Sequence, residues 1–171
     1  MSYRLSCVAL LLGLVASGCK SSTAPTPTPA PKFTATLSQA NEFPAIANAD
    51  GTGSGTATIT LNVTKDAAGN ITAATADFVV TLAGFPANTA VTGAHIHPGA
   101  SGTSGGVAIS AGLVSGELVL ASGTGGINKS GITVDAALAQ SIINGPAGFY
   151  FNVHTTLSSG GAIRGQLVRA N

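Results

Sequence analysis

Thr56–Thr64 reads TATITLNVT, Asp66–Asn70 reads DAAGN and Ile71–Leu82 reads ITAATADFVVTL. In the first run Ile59, Leu61 and Val63 alternate with small polar residues, the period of a strand with one face on a core. The second run supplies turn formers. The third is a long strand-like segment that can fold back on the first. Together they predict a β-hairpin with an apolar inner face.

The same alternation recurs on either side. Phe33, Ala35 and Leu37 alternate with Thr34, Thr36 and Ser38. Further strands are expected at Val91–His97, Val107–Ile109, Glu117–Ala121, Phe149–Thr155 and Ala162–Val168. One stretch departs from period two. In 134–144 (VDAALAQSIIN), Leu138, Ala139 and Ile142 fall at helical spacing, and Gly145-Pro146 follows. A short helix is expected there, with Asp135 near its positive end. Many short strands joined by Gly-rich turns predict an all-β, antiparallel sandwich or barrel.

The N-terminus reads differently. Arg4 precedes a short apolar run, Val8–Val15, which is too short to span a bilayer as a helix. Ala16, Ser17, Gly18 and Cys19 then resemble a lipobox, with Ala16 where leucine is commonest. Residues 1–18 are thus expected to be a signal peptide, and Cys19 the lipid-attachment residue. The run Lys20–Pro31 (KSSTAPTPTPAP) has no apolar period and reads as a solvated spacer. The expected location is the bacterial cell envelope, lipid-anchored. Lys20 after the cysteine favours the outer over the inner membrane in a Gram-negative cell. The domain proper is expected over 32–171. Cys7 would leave with the signal and Cys19 would be acylated, so this domain would hold neither a disulfide nor a thiolate ligand.

Composition narrows the roles. Charged residues make up 8% of the chain and the net charge is +1, against about 25% charged residues in average proteins. There is no basic block, so nucleic acid is not an expected partner. Glu42 and Glu117 are the only glutamates, and nothing in the sequence pairs them for acid–base work. No G-x-S-x-G elbow occurs. Gly51–Gly55 (GTGSG) lacks the context of a phosphate loop and reads as a turn or bulge.

Four stretches in order resemble the CHRD domain, the module named after chordin. They are 33–44 (FTATLSQANEFP), 93–102 (GAHIHPGASG), 150–155 (YFNVHT) and 161–167 (GAIRGQL). Ala45 stands where the family usually has a second proline, and Ala162 where it usually has glutamate. The resemblance implies an all-β Greek-key fold similar in outline to copper-zinc superoxide dismutase. It implies no particular reaction.

All three histidines lie in these motifs. Alternation puts Ala94 and Ile96 on the core side and His95 and His97 on the other. It likewise puts Phe149, Phe151 and Val153 inward, with Tyr150, Asn152 and His154 outward. Ile163, Leu167 and Val168 form the apolar set of the last stretch, and Arg164 and Gln166 the polar one. If the two histidine strands are neighbours, His95, His97 and His154 can converge on copper or zinc, which imidazole suits. The opposing reading has the imidazoles bracing the Gly/Ser loop 98–106 by hydrogen bonds, with Arg164 repelling a cation. The spacing of the His97 and His154 rings decides geometric feasibility. Beyond about 7 Å, with ligand bonds near 2 Å, they cannot share one ion. Two functions follow from the sequence. One is a non-enzymatic binding or structural module of the envelope, with a protein, glycan or matrix partner. The other is a copper- or zinc-binding envelope protein.

Overall fold

The computed structural model describes residues 29–114 and 116–170. The expected signal segment, Cys19 and the spacer up to residue 28 lie outside the described residues. The strands are β1 (Lys32–Ser38), β2 (Ser54–Lys65), β3 (Ile71–Ala83), β4 (Thr89–Pro98), β5 (Ile109–Ser110), β6 (Leu118–Leu120), β7 (Gly125–Val134), β8 (Phe149–Thr155), β9 (Ile163–Gln166) and β10 (Val168–Arg169). One helix, α1 (Ala136–Asn144), lies between β7 and β8.

All pairings are antiparallel. The strand order is β5, β4, β8, β9, β1, β2, β3, β7, with β10 on β1 and β6 on β4. Because β6 also packs against β7, the sheet curls into a nearly closed barrel. Of the two architectures expected, the barrel is the one formed. The β3–β4 connection passes the position that β7 later fills, a Greek-key feature.

The hairpin that opened the reading is the longest ladder, running from Ser54↔Ala83 to Lys65↔Ile71. Its turn is built by Asp66, whose Oδ1 accepts from the Ala68 and Asn70 amides at 2.9 Å each. Inward residues from every long strand meet in one core. Phe33, Ile59, Leu61, Phe78, Ile96, Phe151, Val153 and Ile163 are all fully buried in it. Phe78 and Phe151 meet across the barrel with ring centroids 5.9 Å apart. The helix is short, but Asp135 caps it by accepting from the Ala137 and Leu138 amides at 2.9 and 3.0 Å. Ala139 and Ile142 dock it on the core.

Three expectations need correction. Strand β7 was not expected. Its sequence, GGINKSGITV, carries three glycines and buries only Ile127 and Val134 fully, so it presents a weak period-two signal. It holds its place by pairing with β3 across a bulge near Ala76 and Phe78. The strand expected at Val107–Ile109 instead covers Ile109–Ser110, and Val107 is exposed. The last expected strand divides at Leu167 into β9 and β10. Val168 points outward and is 60% exposed, because alternation from Ile163 puts every even-numbered residue on the outer side.

Candidate metal centre

Strand β8 sits between β4 and β9, and its register aligns the motifs. His154 faces Gly93, Asn152 faces His95 and Tyr150 faces His97 on β4. On the other side Asn152 faces Arg164 and Tyr150 faces Gln166. Since side chains alternate along each strand, this places His95, His97, Tyr150, Asn152, His154, Arg164 and Gln166 together on the outer face. The three histidines do meet. Ring centroids are 4.9 Å apart for His95–His154, 5.6 Å for His95–His97 and 5.8 Å for His97–His154. One nitrogen from each ring lies within 4.8 Å of the others.

This outer face is covered, which alternation alone does not reveal. His97, Tyr150, Asn152 and Arg164 are all buried. Three loops form the cover: 39–53, 98–106 and 155–161. Arg164 pins the first two. Its Nε donates to the Asn41 carbonyl at 2.6 Å and its Nη1 to the Thr103 carbonyl at 2.9 Å. Its guanidinium lies 4.4 Å from the Tyr150 ring centroid, and Tyr150 stacks on His97 at 5.0 Å with an interplanar angle of 7°. A second cluster joins the first and third loops. Asp50 Oδ2 accepts from Thr155 Oγ1 at 2.6 Å and Ser158 Oγ at 2.7 Å.

Hydrogen bonds settle where the protons sit. His97 Nδ1 lies 3.0 Å from the Gly105 carbonyl and His154 Nδ1 lies 2.9 Å from the Ser159 carbonyl. A carbonyl only accepts, so each Nδ1 carries a proton, and in the neutral tautomer this leaves the Nε2 lone pair free to bind a metal. His97 Nε2, His154 Nε2 and His95 Nδ1 are buried without a hydrogen-bond partner. Three unsatisfied imidazole nitrogens in one place are unusual, because each buried polar atom without a partner costs free energy. A shared cation would satisfy all three. Bonds of about 2.0–2.1 Å place such nitrogens roughly 3.5 Å apart, so drawing the rings in by about an ångström completes the set. The bracing hydrogen bonds and the ligand geometry are therefore compatible, since they use opposite nitrogens, as carbonyl-oriented metal histidines do.

The electrostatics favour neutral rings at His95 and His154. Burial pushes His95 down to about 4, with help from the neighbouring His154 and His97 rings. Burial also lowers His154, against the Ser159 hydrogen bond. Two Arg164 nitrogens are taken up by loop carbonyls, the third, Nη2, is buried without a partner, and Glu42 lies close enough to feel the Arg164 charge. Glu42 is buried and accepts from Asn152 Nδ2 at 2.8 Å. Sequence reasoning assigns it no role, although it sits in the first family-like stretch. Its partner Asn152 is 110 residues away. Gly161, at φ +136°, lies over this pair. A Cβ there would come 2.6 Å from Asn152 Nδ2 and 2.8 Å from Glu42 Oε2. Glu117, by contrast, pairs with Lys129 and has no part in the cluster. A surface cavity lined by Pro29, Val63, Ile71 and Ile143 among others takes in none of the histidines.

Burial raises Glu42 from 4.5 to about 7, opposed by Arg164, Asn152 and the Phe43 backbone. Between these values the folded chain holds a proton that the unfolded chain has released. Stability therefore falls as pH rises through this window, and the loss is complete above it. Discounted for the screening by Arg164, Asn152 and the Phe43 backbone, the effect is on the order of 2 kcal/mol. Glu42→Gln keeps the acceptor for Asn152 and removes the titration. The variant is expected to melt roughly 5 °C higher than the parent at pH 8 and at the same temperature at pH 4.5, as thermal denaturation followed by circular dichroism will read.

A family model described as the CHRD domain matches residues 33–167. No curated protein and no solved structure gives a significant match.

Proposed function

This chain belongs to the CHRD domain family, and from that premise we propose that it is a copper- or zinc-binding module of the bacterial cell envelope, held by a lipid on Cys19. The family domain implies a binding or structural module. The metal reading is supported above all by three buried imidazole nitrogens that lack partners, on three rings that lie together. Simple bracing of loops accounts for the Nδ1 atoms of His97 and His154, but it leaves these three nitrogens unexplained. Ligands on rigid strands, with second nitrogens oriented by backbone carbonyls, are what a preorganised site needs. The envelope location is supported by the signal-like segment, the lipobox-like Ala16–Cys19 and the Pro/Thr/Ser spacer.

The test of binding is titration of metal-free protein with Zn(II), Cu(II) and, under anaerobic conditions, Cu(I). One saturable equivalent per chain of at least one of these ions is expected. Uptake of none of them, or only weak unsaturable uptake, would overturn the reading. For the anchor, Cys19→Ser is expected to move the protein from the detergent-extracted envelope fraction to the soluble fraction. Retention in the envelope would remove the lipid from the account. A structural module that binds a protein, glycan or matrix partner is the second reading. Phe43 and Leu157 favour it: both are exposed and border a shallow cavity beside Glu42.

A further inference from the structure

We infer that the ion this centre selects is monovalent copper, held by His95, His97 and His154 in preference to any divalent ion. The inference rests on the three-histidine reading and adds the charge and identity of the ion. Its first ground is the donor set. All three donors are uncharged imidazoles, and among the described residues no carboxylate or thiolate joins them. Whatever charge the ion brings is therefore left uncompensated by its ligands.

The second ground is burial. The three available nitrogens are shielded from water. The cost of taking an ion out of water grows with the square of its charge, so a divalent ion is opposed about four times as strongly as a monovalent one. The fixed positive charge of Arg164 adds to this. It reaches the site through two stacked contacts, Arg164 on Tyr150 at 4.4 Å and Tyr150 on His97 at 5.0 Å. Its repulsion scales with the charge of the ion. Glu42 offsets part of Arg164's field, but its carboxyl is committed to Asn152 and is no member of the donor set.

The third ground is coordination number. Zinc in proteins takes four ligands, and divalent copper takes a tetragonal set of four or more. The described residues bring three donors together and cover them with Tyr150 and the loops that Gly105 and Ser159 belong to. A filled-shell monovalent copper ion is stable with three nitrogen donors. Divalent ions would need a fourth ligand, and among the described residues no further His, Cys, Asp or Glu joins the three.

The experiment is an anaerobic titration of the full chain in detergent with Cu(I), supplied as its acetonitrile complex against a Cu(I)-specific chelator. Zn(II) and Cu(II) are titrated in parallel. His95→Ala is the control, because the buried His95 Nδ1 makes no hydrogen bond that its removal would break. Cu(I) is expected to bind at least 100-fold more tightly than Zn(II), with an X-ray absorption edge of three-coordinate Cu(I). Zn(II) or Cu(II) binding within tenfold of Cu(I), lost in His95→Ala, would overturn the preference and leave the three-histidine site standing. Binding of every ion at the level of His95→Ala would bring down the site and the preference together.

Discussion

Alanine at Arg164 is expected to lower the melting temperature by on the order of 10 °C. The side chain is 2% exposed and is the largest fully buried one among the described residues. Its removal leaves the Asn41 and Thr103 carbonyls without their donors. It uncovers one side of Tyr150 and strips Glu42 of its countercharge. Breaking a buried charged network by deleting one member costs about 3–5 kcal/mol, and each kcal/mol moves the midpoint of a domain this size by about 3 °C. Arg164→Lys keeps the charge but loses the fork that reaches two loops at once, so it should recover only part of the loss. Differential scanning calorimetry of the three proteins decides the matter. An alanine variant within 2 °C of the parent would mean that the loops are held by something else.

Removal of the His95 imidazole is expected to weaken metal binding at least 100-fold while leaving the melting temperature of the metal-free protein nearly unchanged. Unlike His97 and His154, His95 ties down no loop through its buried nitrogen. Its burial as a neutral ring also opposes folding on acidification. A residue lowered to about 4 in the folded state takes up protons more readily when unfolded, so native stability falls as pH drops from about 6.5 toward 4. His95→Ala should remove that acid sensitivity. Gly93→Ala provides an independent route to the same ligand. A Cβ at Gly93 would fall 2.7 Å from His95 Cε1 and 3.2 Å from its Nε2. The ring can swing aside at little cost to the fold, but it then leaves the other two imidazoles. A tenfold or greater loss of affinity in Gly93→Ala, with an intact circular dichroism spectrum, is the expected result. Unchanged affinity would show that His95 does not bind the ion from its present position.

How much of this could be read in advance depends on range. The hairpin, β8 and the capped helix rest on contacts or periods spanning a few residues, and their sequences displayed them. So did the shared face of the histidines, because parity along β4 and β8 survives whatever the rest of the chain does. The family resemblance over four stretches carried the all-β fold, and the family match over residues 33–167 agrees with it. What period could not show was the cover over that face. Arg164 reaches Asn41 across 123 residues and Thr103 across 61, and Asn152 reaches Glu42 across 110. Loop docking of this kind leaves no trace in local hydropathy. Strand β7 escaped for a related reason. Its glycines and polar residues suit the partner strand β3, and nothing local to β7 announces that pairing.

The strict alternation in β8 separates two tasks along one strand. Phe151 and Val153 serve only the interior, while Asn152 and His154 serve only the outer centre. The same division holds in β4, with Ala94 and Ile96 inside and His95 and His97 outside. Outer positions such as His95, which hold no loop, can therefore be rewritten without repacking the barrel, and the interior can drift without disturbing the chemistry. A protein engineer could graft a different ligand set onto these positions and keep the scaffold unchanged. Natural descendants of such a chain are free to lose, exchange or refine the centre while still folding as before.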